Sequence, residues 1–475
     1  MLADYQTFDA LGLADLVRRG QVSAEELLET AIARLEAVDP VINAISQRLY
    51  DHGRQAIAAG LPDGPFAGVP FLLKDVSLML RGQVTTQGAR LFRDFVAESD
   101  STLTERYKRA GLVIFGKTTT PEFGLAASTE TTLTGSTRNP WDPTRTAGGS
   151  SGGAAAAVAA GIVPAAHGSD GGGSIRIPAA ACGLFGLKPT RARIPAGPFV
   201  GEGWGGLATN HVLTRTVRDS AAFLDATHGP APGDPYAAPP APKSFLTEAD
   251  VAPGRLRIAV QTRPYADVPV APDCLAAVDA TAALLRDLGH EVDAAQPPGD
   301  WETLGWAIWV LVASNVSLTL RTRGRARGRP VEPGEVERVT WSAVEYARSL
   351  TVEDYPAALA IVHRHGRQMA AFHQHWDLLL SPTLAQPAVP LGPQHMDNPD
   401  LEQYRQALIG FSPFTSPHNM SGAPSASLPL HWTKGELPVG VMLTGRFGED
   451  ARLLQVSRQL EAARPWHDRR PRLAA

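Results

Sequence analysis

Two glycine-rich segments place serines where hydroxyl groups could do chemistry. Ser150 lies within residues 148–153, and Ser174 directly follows the three glycines 171–173. Because glycine has no Cβ atom, such segments turn sharply and can aim several backbone N–H groups at one point, as a developing oxyanion requires. The pattern therefore predicts a serine hydrolase.

A lysine is the candidate base for these serines. Lys74 ends the apolar run 69–73, which would normally exclude a lysine unless something pairs with it. Burial in such a run lowers the pKa of a lysine, and a neutral amine can accept a proton. His167 also lies close to the second glycine-rich segment, but no acidic residue is spaced to orient it. We therefore favour a structural or polar-network role for His167.

The segment 111–118 matches the phosphate-loop pattern GxxxxGK[ST], which would indicate a nucleotide hydrolase. In a phosphate loop the four variable positions form a turn after a strand. Here those positions are Leu, Val, Ile and Phe, which favour the strand itself. The interpretation as a nucleotide site is therefore rejected.

Composition indicates an enzyme that does not bind nucleic acid. The 475 residues include 44 Lys and Arg against 48 Asp and Glu, and the formal net charge is −4. Five arginines fall between residues 321 and 329, but no aromatic residues separate them, so a solvated loop or an ion-paired surface is favoured. The first residues do not resemble a leader peptide, and no run of about 20 uninterrupted apolar residues follows. We expect a cytoplasmic protein without membrane contact.

The two cysteines carry no sign of redox or metal chemistry. Cys182 and Cys274 are too few for a disulfide framework and have no metal-type spacing with histidine. Both are predicted to be buried small apolar residues. No metal and no cofactor are expected.

Short apolar runs alternate with helical patterns along the chain. Ser23 and Glu26 fit a capping box that begins a helix over 23–38. A helix over 272–288 is followed by a strand over 290–293. The other apolar runs are 69–73, 112–115, 256–260 and 378–380, and the other helical patterns are 102–109 and 154–160. This alternation predicts an α/β fold with a largely buried sheet.

A proline-rich connector occupies residues 229–243. Strand and helix patterns resume on both sides of it, so it is predicted to join two halves of a single domain over residues 1–475.

The serine and lysine motifs together resemble those of the amidase signature family. The lysine motif is residues 68–75, the bridging-serine motif 148–153 and the nucleophile motif 170–178; further similar segments are 116–122, 138–141, 186–190 and 419–429. The resemblance covers most of the chain. It implies the amidase signature fold, a large, mixed, mostly parallel twisted sheet surrounded by helices.

The resemblance also implies a Ser–cis-Ser–Lys triad. Position by position, it makes Ser174 the nucleophile, Ser150 the bridging serine after a cis peptide bond, and Lys74 the base. Ser151 is the rival to Ser150, which is preferred on the register of the motif.

An oxyanion hole follows from the same resemblance. It would consist of the backbone N–H groups of Gly171, Gly172 and Gly173, together with that of the nucleophile. Asp170 and Arg176 would support this loop through a salt link. The family usually has a residue with a side chain where this chain has Gly171, so three consecutive glycines are expected to widen the acyl site or to loosen the oxyanion hole.

Several segments rich in glycine, aromatic and apolar residues could line a substrate pocket: 121–126, 198–206, 306–310 and 412–419. Within them the predicted substrate-binding residues are Phe123, Gly124, Leu125, Trp204 and Trp309. Trp301, Trp306 and Trp309 also recur at helical spacing, which is equally typical of core packing.

The chain looks most similar to the branch of the family with cyclic nylon-oligomer hydrolases, aryl acylamidases and urethanases. We therefore expect hydrolysis of small neutral amides, including anilides and oligoamides, with carbamates as an extension. The alternatives are a glutamine amidotransferase subunit of a transamidosome-type complex, an esterase, or a binding protein that kept the fold. The expected partner is the small-molecule substrate alone, and the chain is expected to be a monomer or a homodimer.

Overall fold

An 11-stranded sheet runs through the molecule. The computed structural model describes residue 2 and residues 4–473. The strands are β1 (Ile45–Arg48), β2 (Pro70–Lys74), β3 (Val113–Thr118), β4 (Glu130–Thr131), β5 (Gly135–Ser136), β6 (Arg138–Asn139), β7 (Asp142–Thr146), β8 (Ala165–Asp170), β9 (Phe185–Lys188), β10 (Thr209–Thr214), β11 (Arg257–Val260), β12 (Glu291–Ala294), β13 (Leu378–Pro382), β14 (Ser425–Trp432) and β15 (Pro438–Gly445).

Helices surround this sheet. They are α1 (Ala10–Arg18), α2 (Ala24–Ile42), α3 (Tyr50–Ala58), α4 (Thr102–Arg109), α5 (Gly152–Ala159), α6 (Arg176–Cys182), α7 (Val217–Thr227), α8 (Phe245–Ala249), α9 (Pro272–Asp287), α10 (Trp301–Ala326), α11 (Arg338–Ser349), α12 (Asp354–His375), α13 (Leu401–Phe411), α14 (Pro417–Ser421) and α15 (Asp450–Ala463). The predicted α/β class, a large mixed sheet surrounded by helices, is confirmed.

The direction of the strands corrects one part of the prediction. The order in the large sheet is β1-β3-β2-β8-β10-β9-β14-β15-β13-β11-β12. Four of its neighbouring pairs are parallel, namely those within β3-β2-β8 and within β13-β11-β12, and six are antiparallel, including the edge pair β1-β3. The mostly parallel sheet that was expected from the family resemblance was wrong, and the apolar runs could not correct it, because such a run identifies a buried strand without giving its direction. The short connection between β14 and β15, for example, allows only antiparallel pairing.

Local signals in the sequence predicted several elements well. Ser23 and Glu26 form the capping box of α2, which continues beyond the predicted end to Ile42. The helix α9 begins at Pro272 as expected. The two cysteines are free and buried. In residues 111–118, the stretch from Val113 onward is β3, so the phosphate-loop pattern lies on a strand and not on a turn.

Residues 229–243 lie between α7 and α8. Six strands of the large sheet precede this connector and five follow it, and the two sets meet where β9 pairs with β14.

The arginine-rich segment lies partly on a helix and not wholly on a loop, as α10 extends to Ala326. Arg323 pairs with Asp94 and its guanidinium lies over the ring of Phe92, 5.2 Å from the centroid. Arg327 and Arg329 both pair with Glu335. The ion-paired interpretation of these three arginines is thus confirmed. The helix α10 is long and apolar enough to cross a membrane, but 44% of its most apolar stretch is buried inside the protein, and the core helices of soluble proteins can be equally long and apolar.

Candidate active site

Lys74 lies at the centre of a buried cluster of hydroxyl groups. It is the last residue of β2, a strand that is buried along its whole length. Its Nζ atom lies 2.7 Å from Ser150 Oγ, 3.0 Å from Ser151 Oγ and 3.0 Å from Ser169 Oγ. The predicted base and the predicted bridging serine are therefore in direct contact, and Ser151 contacts the same amine.

Three hydroxyl oxygens are enough to accept all three N–H bonds of a protonated lysine. A neutral amine has two N–H bonds and one lone pair, so one of the three hydroxyls must then donate to Lys74. The shortest of the three contacts is the one with Ser150. Within this cluster a proton can therefore pass between a serine and the lysine without any side chain moving far.

The charge state of Lys74 is set by its burial. Loss of solvation lowers the pKa of Lys74 to about 7, and the charge of Asp170 opposes this only in part. A substantial fraction of the amine is thus neutral near physiological pH, which is the condition for a general base.

Ser174 lies on the turn between β8 and α6. The backbone N–H of Ser151 donates to the carbonyl oxygen of Ser174 at 3.2 Å, so the two glycine-rich segments meet at this point. Exposure rises from 0% for Lys74 through 2% for Ser150 to 9% for Ser174. Among the described residues the Ser174 hydroxyl has no hydrogen-bond partner. It is thus the most accessible of the three predicted triad side chains.

Asp170 holds the turn that carries Ser174. Its carboxylate accepts from the backbone N–H groups of Gly173 at 2.8 Å and Ile175 at 3.2 Å. Arg176 donates to it from Nε and Nη2, each at 2.9 Å, and Asn419 from Nδ2 at 2.9 Å. Burial alone would raise the pKa of Asp170, but Arg176 and the other donors outweigh this and hold the pKa well below its ordinary value. Asp170 and Arg176 have the geometry of a loop support, as the sequence predicted.

The hydrogen bonds of this turn revise the predicted oxyanion hole. The N–H of Gly173 is already engaged by Asp170, because the turn folds back onto that carboxylate. The N–H groups of Gly171, Gly172 and Ser174 donate to no other residue in the described part of the chain. These three are therefore the donors that remain for an oxyanion.

The predicted substrate-binding side chains come together in one apolar group, here called the aromatic cluster. Its members include Phe92, Phe95, Phe123, Leu125, Trp204, Ile308, Trp309 and Tyr346. Gly124 lies beside the triad, since a Cβ atom built on it would be 3.1 Å from Ser150 Oγ. Trp306 packs in a separate cluster, with Leu207 and Leu311.

A buried carboxyl group next to the aromatic cluster carries little charge at neutral pH. Burial, and then the nearby Glu337, raise the pKa of Glu122 to about 8. Glu122 accepts hydrogen bonds from the Glu337 N–H at 2.9 Å and from the Thr340 hydroxyl at 2.6 Å. Although Glu122 directly precedes Phe123, it therefore brings no full negative charge to this region.

His167 is held in a fixed, uncharged state. Its Nδ1 atom accepts from the Lys74 backbone N–H at 3.3 Å, and Nε2 lies 3.2 Å from Asn210 Oδ1. Burial and the charge of Lys74 lower the pKa of His167 to about 3. These contacts fit the structural role favoured from the sequence.

Sequence reasoning missed some close neighbours of the site. The contact between the Ser169 hydroxyl and Lys74 was not expected from the sequence. The Thr415 hydroxyl donates to the Gly172 carbonyl oxygen at 2.6 Å. Thr415 lies in segment 412–419, which the sequence had marked as pocket lining, but its partner lies more than 200 residues away and could be identified only in the structure.

Comparison with known proteins agrees with the motifs. A family model described as Amidase matches residues 26–454. The 6-aminohexanoate-cyclic-dimer hydrolase of Pseudomonas sp. (strain NK87) is 39% identical over 481 residues, which covers 98% of this chain and 96% of that protein. A solved structure of 6-aminohexanoate cyclic dimer hydrolase matches with a TM-score of 0.92 and 37% identity, over 98% of this chain and 99% of the other.

A bacterial aryl acylamidase structure of the amidase signature enzymes matches with a TM-score of 0.88 and 29% identity, over 97% of this chain and 96% of the other. The resemblance inferred from the serine and lysine motifs is confirmed: the chain belongs to the amidase signature family.

Proposed function

We propose that this protein hydrolyses small neutral amides through an acyl-enzyme, with Ser174 as nucleophile, Ser150 as proton relay and Lys74 as base. The observation that carries the proposal is the buried 2.7 Å contact between Lys74 Nζ and Ser150 Oγ, at a lysine whose pKa is lowered to about 7.

The first half of the reaction forms the acyl-enzyme. Neutral Lys74 takes the proton of Ser150, and Ser150 takes the proton of Ser174. The Oγ atom of Ser174 attacks the amide carbon as it loses this proton. The negative charge that develops on the carbonyl oxygen would be bound by the free N–H groups of Gly171, Gly172 and Ser174. The C–N bond then breaks as the proton returns through Ser150 to the leaving nitrogen, because an amine is expelled poorly as an anion.

The second half releases the acyl group. Water attacks the ester that joins the acyl group to Ser174, and the same relay accepts a proton from the water. The bond between the acyl carbon and Ser174 Oγ then breaks, the relay returns the proton through Ser150 to Ser174 Oγ, and the free acid leaves. Ser151 and Ser169 accept hydrogen bonds from Lys74 during the cycle and so keep its lone pair directed to Ser150.

The substrate class follows from the aromatic cluster. Its members are apolar, Glu122 beside it is largely protonated, and Arg323 is paired with Asp94. Such surroundings favour an uncharged aromatic or aliphatic group on the amide. The relatives named as a cyclic-dimer hydrolase and an aryl acylamidase support oligoamides and anilides as substrates.

Carbamates are included in the proposal because they present the same carbonyl group to the same donors. Their hydrolysis would release an amine, an alcohol and carbon dioxide. We propose that the protein acts in the cytoplasm as a monomer or homodimer, without a cofactor.

The test uses a matched p-nitroanilide and p-nitrophenyl carbamate with the wild type, Ser174→Ala and Ser349→Ala. Ser349 is exposed at the end of α11 and serves as the control. Release of nitroaniline that is lost in Ser174→Ala and kept in Ser349→Ala is the expected result. Turnover by Ser174→Ala at the wild-type rate would refute the assignment of the nucleophile. An inert carbamate would remove carbamates from the substrate class.

The two other enzymatic functions are tested with the same preparation. A glutamine amidotransferase must recognise the charged ends of a free amino acid, which the aromatic cluster does not favour. Release of ammonia from glutamine in preference to anilide hydrolysis would support that function instead. Rates on a matched ester and amide distinguish an esterase from an amidase.

A further inference from the structure

We propose that Trp204 is a positioning residue for the oxyanion turn and that the pair Gly171 and Trp204 determines which substrates fit beside it. This inference rests on the proposed function and adds a residue from a distant loop to the site. Trp204 lies in the segment between β9 and β10, more than thirty residues after the turn that it contacts.

The indole of Trp204 occupies the space that a side chain at position 171 would need. A Cβ atom built on Gly171 would lie 2.7 Å from both Cε3 and Cζ3 of Trp204. Carbon atoms in ordinary contact are about 3.5–4.0 Å apart. Gly171 and Trp204 are therefore complementary: the glycine is required as long as the tryptophan remains in this position.

The other two glycines of the turn differ from Gly171. A Cβ atom on Gly172 would meet only Ser416 Cβ, at 3.9 Å, so the space beside Gly172 is open. Gly173 has a φ of 134°, and a Cβ atom there would lie 2.3 Å from Thr415 Oγ1. Trp204 and Thr415 thus confine the two ends of the turn, and the middle glycine is left open to a substrate.

The position of Trp204 is itself strongly constrained. Its φ of 50° lies in the left-handed region, which is unusual for a bulky residue, and Gly205 and Gly206 continue in that region. The Gly206 N–H donates to the Gly203 carbonyl oxygen at 3.1 Å and so closes the turn. The side chain packs against the aromatic cluster and also against the cluster of Leu207 and Leu311. Packing of this half-buried side chain against two clusters stabilises a backbone conformation that would otherwise be unfavourable.

Two consequences follow for the reaction. The indole holds the backbone at Gly171. It thereby sets the direction of two free donors of the oxyanion hole, the N–H groups of Gly171 and Gly172. The indole also forms an apolar wall beside these donors that is continuous with Phe123 and Leu125. The group next to the scissile carbonyl is therefore uncharged and is held against a flat surface.

The test is a double-mutant cycle with Gly171→Ala, Trp204→Ala and the double variant. In Gly171→Ala the new methyl group displaces the indole or the turn, and kcat for an anilide is expected to fall on the order of a hundredfold, as for a misplaced oxyanion donor. Trp204→Ala frees the turn, so kcat is expected to fall, though less than in Gly171→Ala, and KM should rise more for anilides with bulky acyl groups than for acetanilides. In the double variant the methyl group has room, so kcat should return to the level of Trp204→Ala instead of falling by the product of the two single effects. Gly334→Ala, where a Cβ atom meets nothing within 4 Å, is the control for a glycine-to-alanine change.

Trp204→Phe provides a second route if Gly171→Ala alone does not fold. Phenylalanine keeps an aromatic wall but lacks the ring that carries Cε3 and Cζ3, so Gly171→Ala is expected to be tolerated in that background. Additive effects of the two substitutions on kcat, in an active protein, would overturn the proposal.

Thermal midpoints of the same four proteins separate this inference from the proposed function. We expect an active wild type and a shift of the thermal midpoint in the double variant that differs from the sum of the two single shifts. A wild type that hydrolyses no amide would refute the proposed function, and with it the positioning role, even if the midpoints were non-additive. An active wild type with additive midpoints and additive kcat would refute the pairing alone.

Discussion

The ends of β2 and β3 carry two buried lysines that differ in the groups that contact their amines. Lys74 and Lys117 lie on neighbouring parallel strands, and neither side chain is exposed. Lys74 contacts three serine hydroxyls. Lys117 donates to the Val84 carbonyl oxygen at 2.5 Å and to the Thr85 hydroxyl at 2.7 Å, and its Nζ lies 3.9 Å from a carboxylate oxygen of Asp75.

The chemistry of the partners separates a catalytic lysine from a structural one. Burial lowers the pKa of both, to about 7 for Lys74 and about 8 for Lys117. All three partners of Lys74 are hydroxyl groups, which can both accept and donate a hydrogen bond, whereas Lys117 has one hydroxyl partner and a carbonyl oxygen that can only accept. The nearby Asp75 also favours the charged form of Lys117. Lys74 can therefore exchange a proton with its partners, while Lys117 holds the segment around Val84 and Thr85 against the strand.

The largest effect is expected when Lys74, the lysine assigned as the base, is replaced. Lys74→Met removes the base but keeps an unbranched side chain of similar length. We expect a loss of about 10⁴-fold or more in kcat for an anilide, as for loss of a member of a catalytic unit. Steady-state kinetics measures it, and circular dichroism checks that the variant is folded. Retention of more than a tenth of wild-type kcat would show that another group acts as the base.

The structural role of Lys117 is tested by Lys117→Met. This variant leaves Asp75 buried without its cation, although Gln47 and Thr86 still donate to that carboxylate. We expect the free energy of unfolding to fall by roughly 3 kcal/mol, since removal of one partner of a buried pair is destabilising. Urea denaturation measures this loss. The kcat of the folded enzyme should remain within a few-fold of the wild type, and a loss as large as that of Lys74→Met would contradict the comparison.

Smaller effects are expected when one hydroxyl partner of each lysine is removed, and they test whether these hydroxyls have different roles at the two lysines. Ser169→Ala removes one hydrogen-bond acceptor from Lys74, and Thr85→Val removes one from Lys117. We expect Ser169→Ala to reduce kcat by about tenfold, because the lone pair of Lys74 is then less well directed. Thr85→Val should reduce stability and leave kcat almost unchanged. Equal effects of the two substitutions on kcat would show that these hydroxyls do not distinguish the lysines.

The sequence predicted the local features of the fold better than its long-range ones. The capping box at Ser23 and the start of α9 at Pro272 depend on neighbours within a few residues, and both were confirmed. Strand direction depends on how the chain returns to the sheet, and apolar runs carry no such information. The mostly parallel sheet implied by the family resemblance was therefore wrong, and the sheet has more antiparallel than parallel pairs.

The candidate site shows the same limit. The motifs identified Lys74 and Ser150, and the structure places these two in contact. The motifs could not show that the Gly173 N–H is taken by Asp170, because that depends on how the turn folds back. Nor could they place Trp204 against Gly171, since nothing in either local sequence refers to the other.

The pH dependence of kcat/KM tests the central claim most directly, namely that neutral Lys74 is the base. The pKa of Lys74 is lowered from 10.5 to about 7, and only the neutral form accepts a proton, so activity should rise with pH and level off above a midpoint near 7. Glu122→Gln, which removes a nearby group with a pKa of about 8, should keep that midpoint. A rate that does not change with pH through this region, or a midpoint that moves with Glu122→Gln, would contradict the assignment of Lys74.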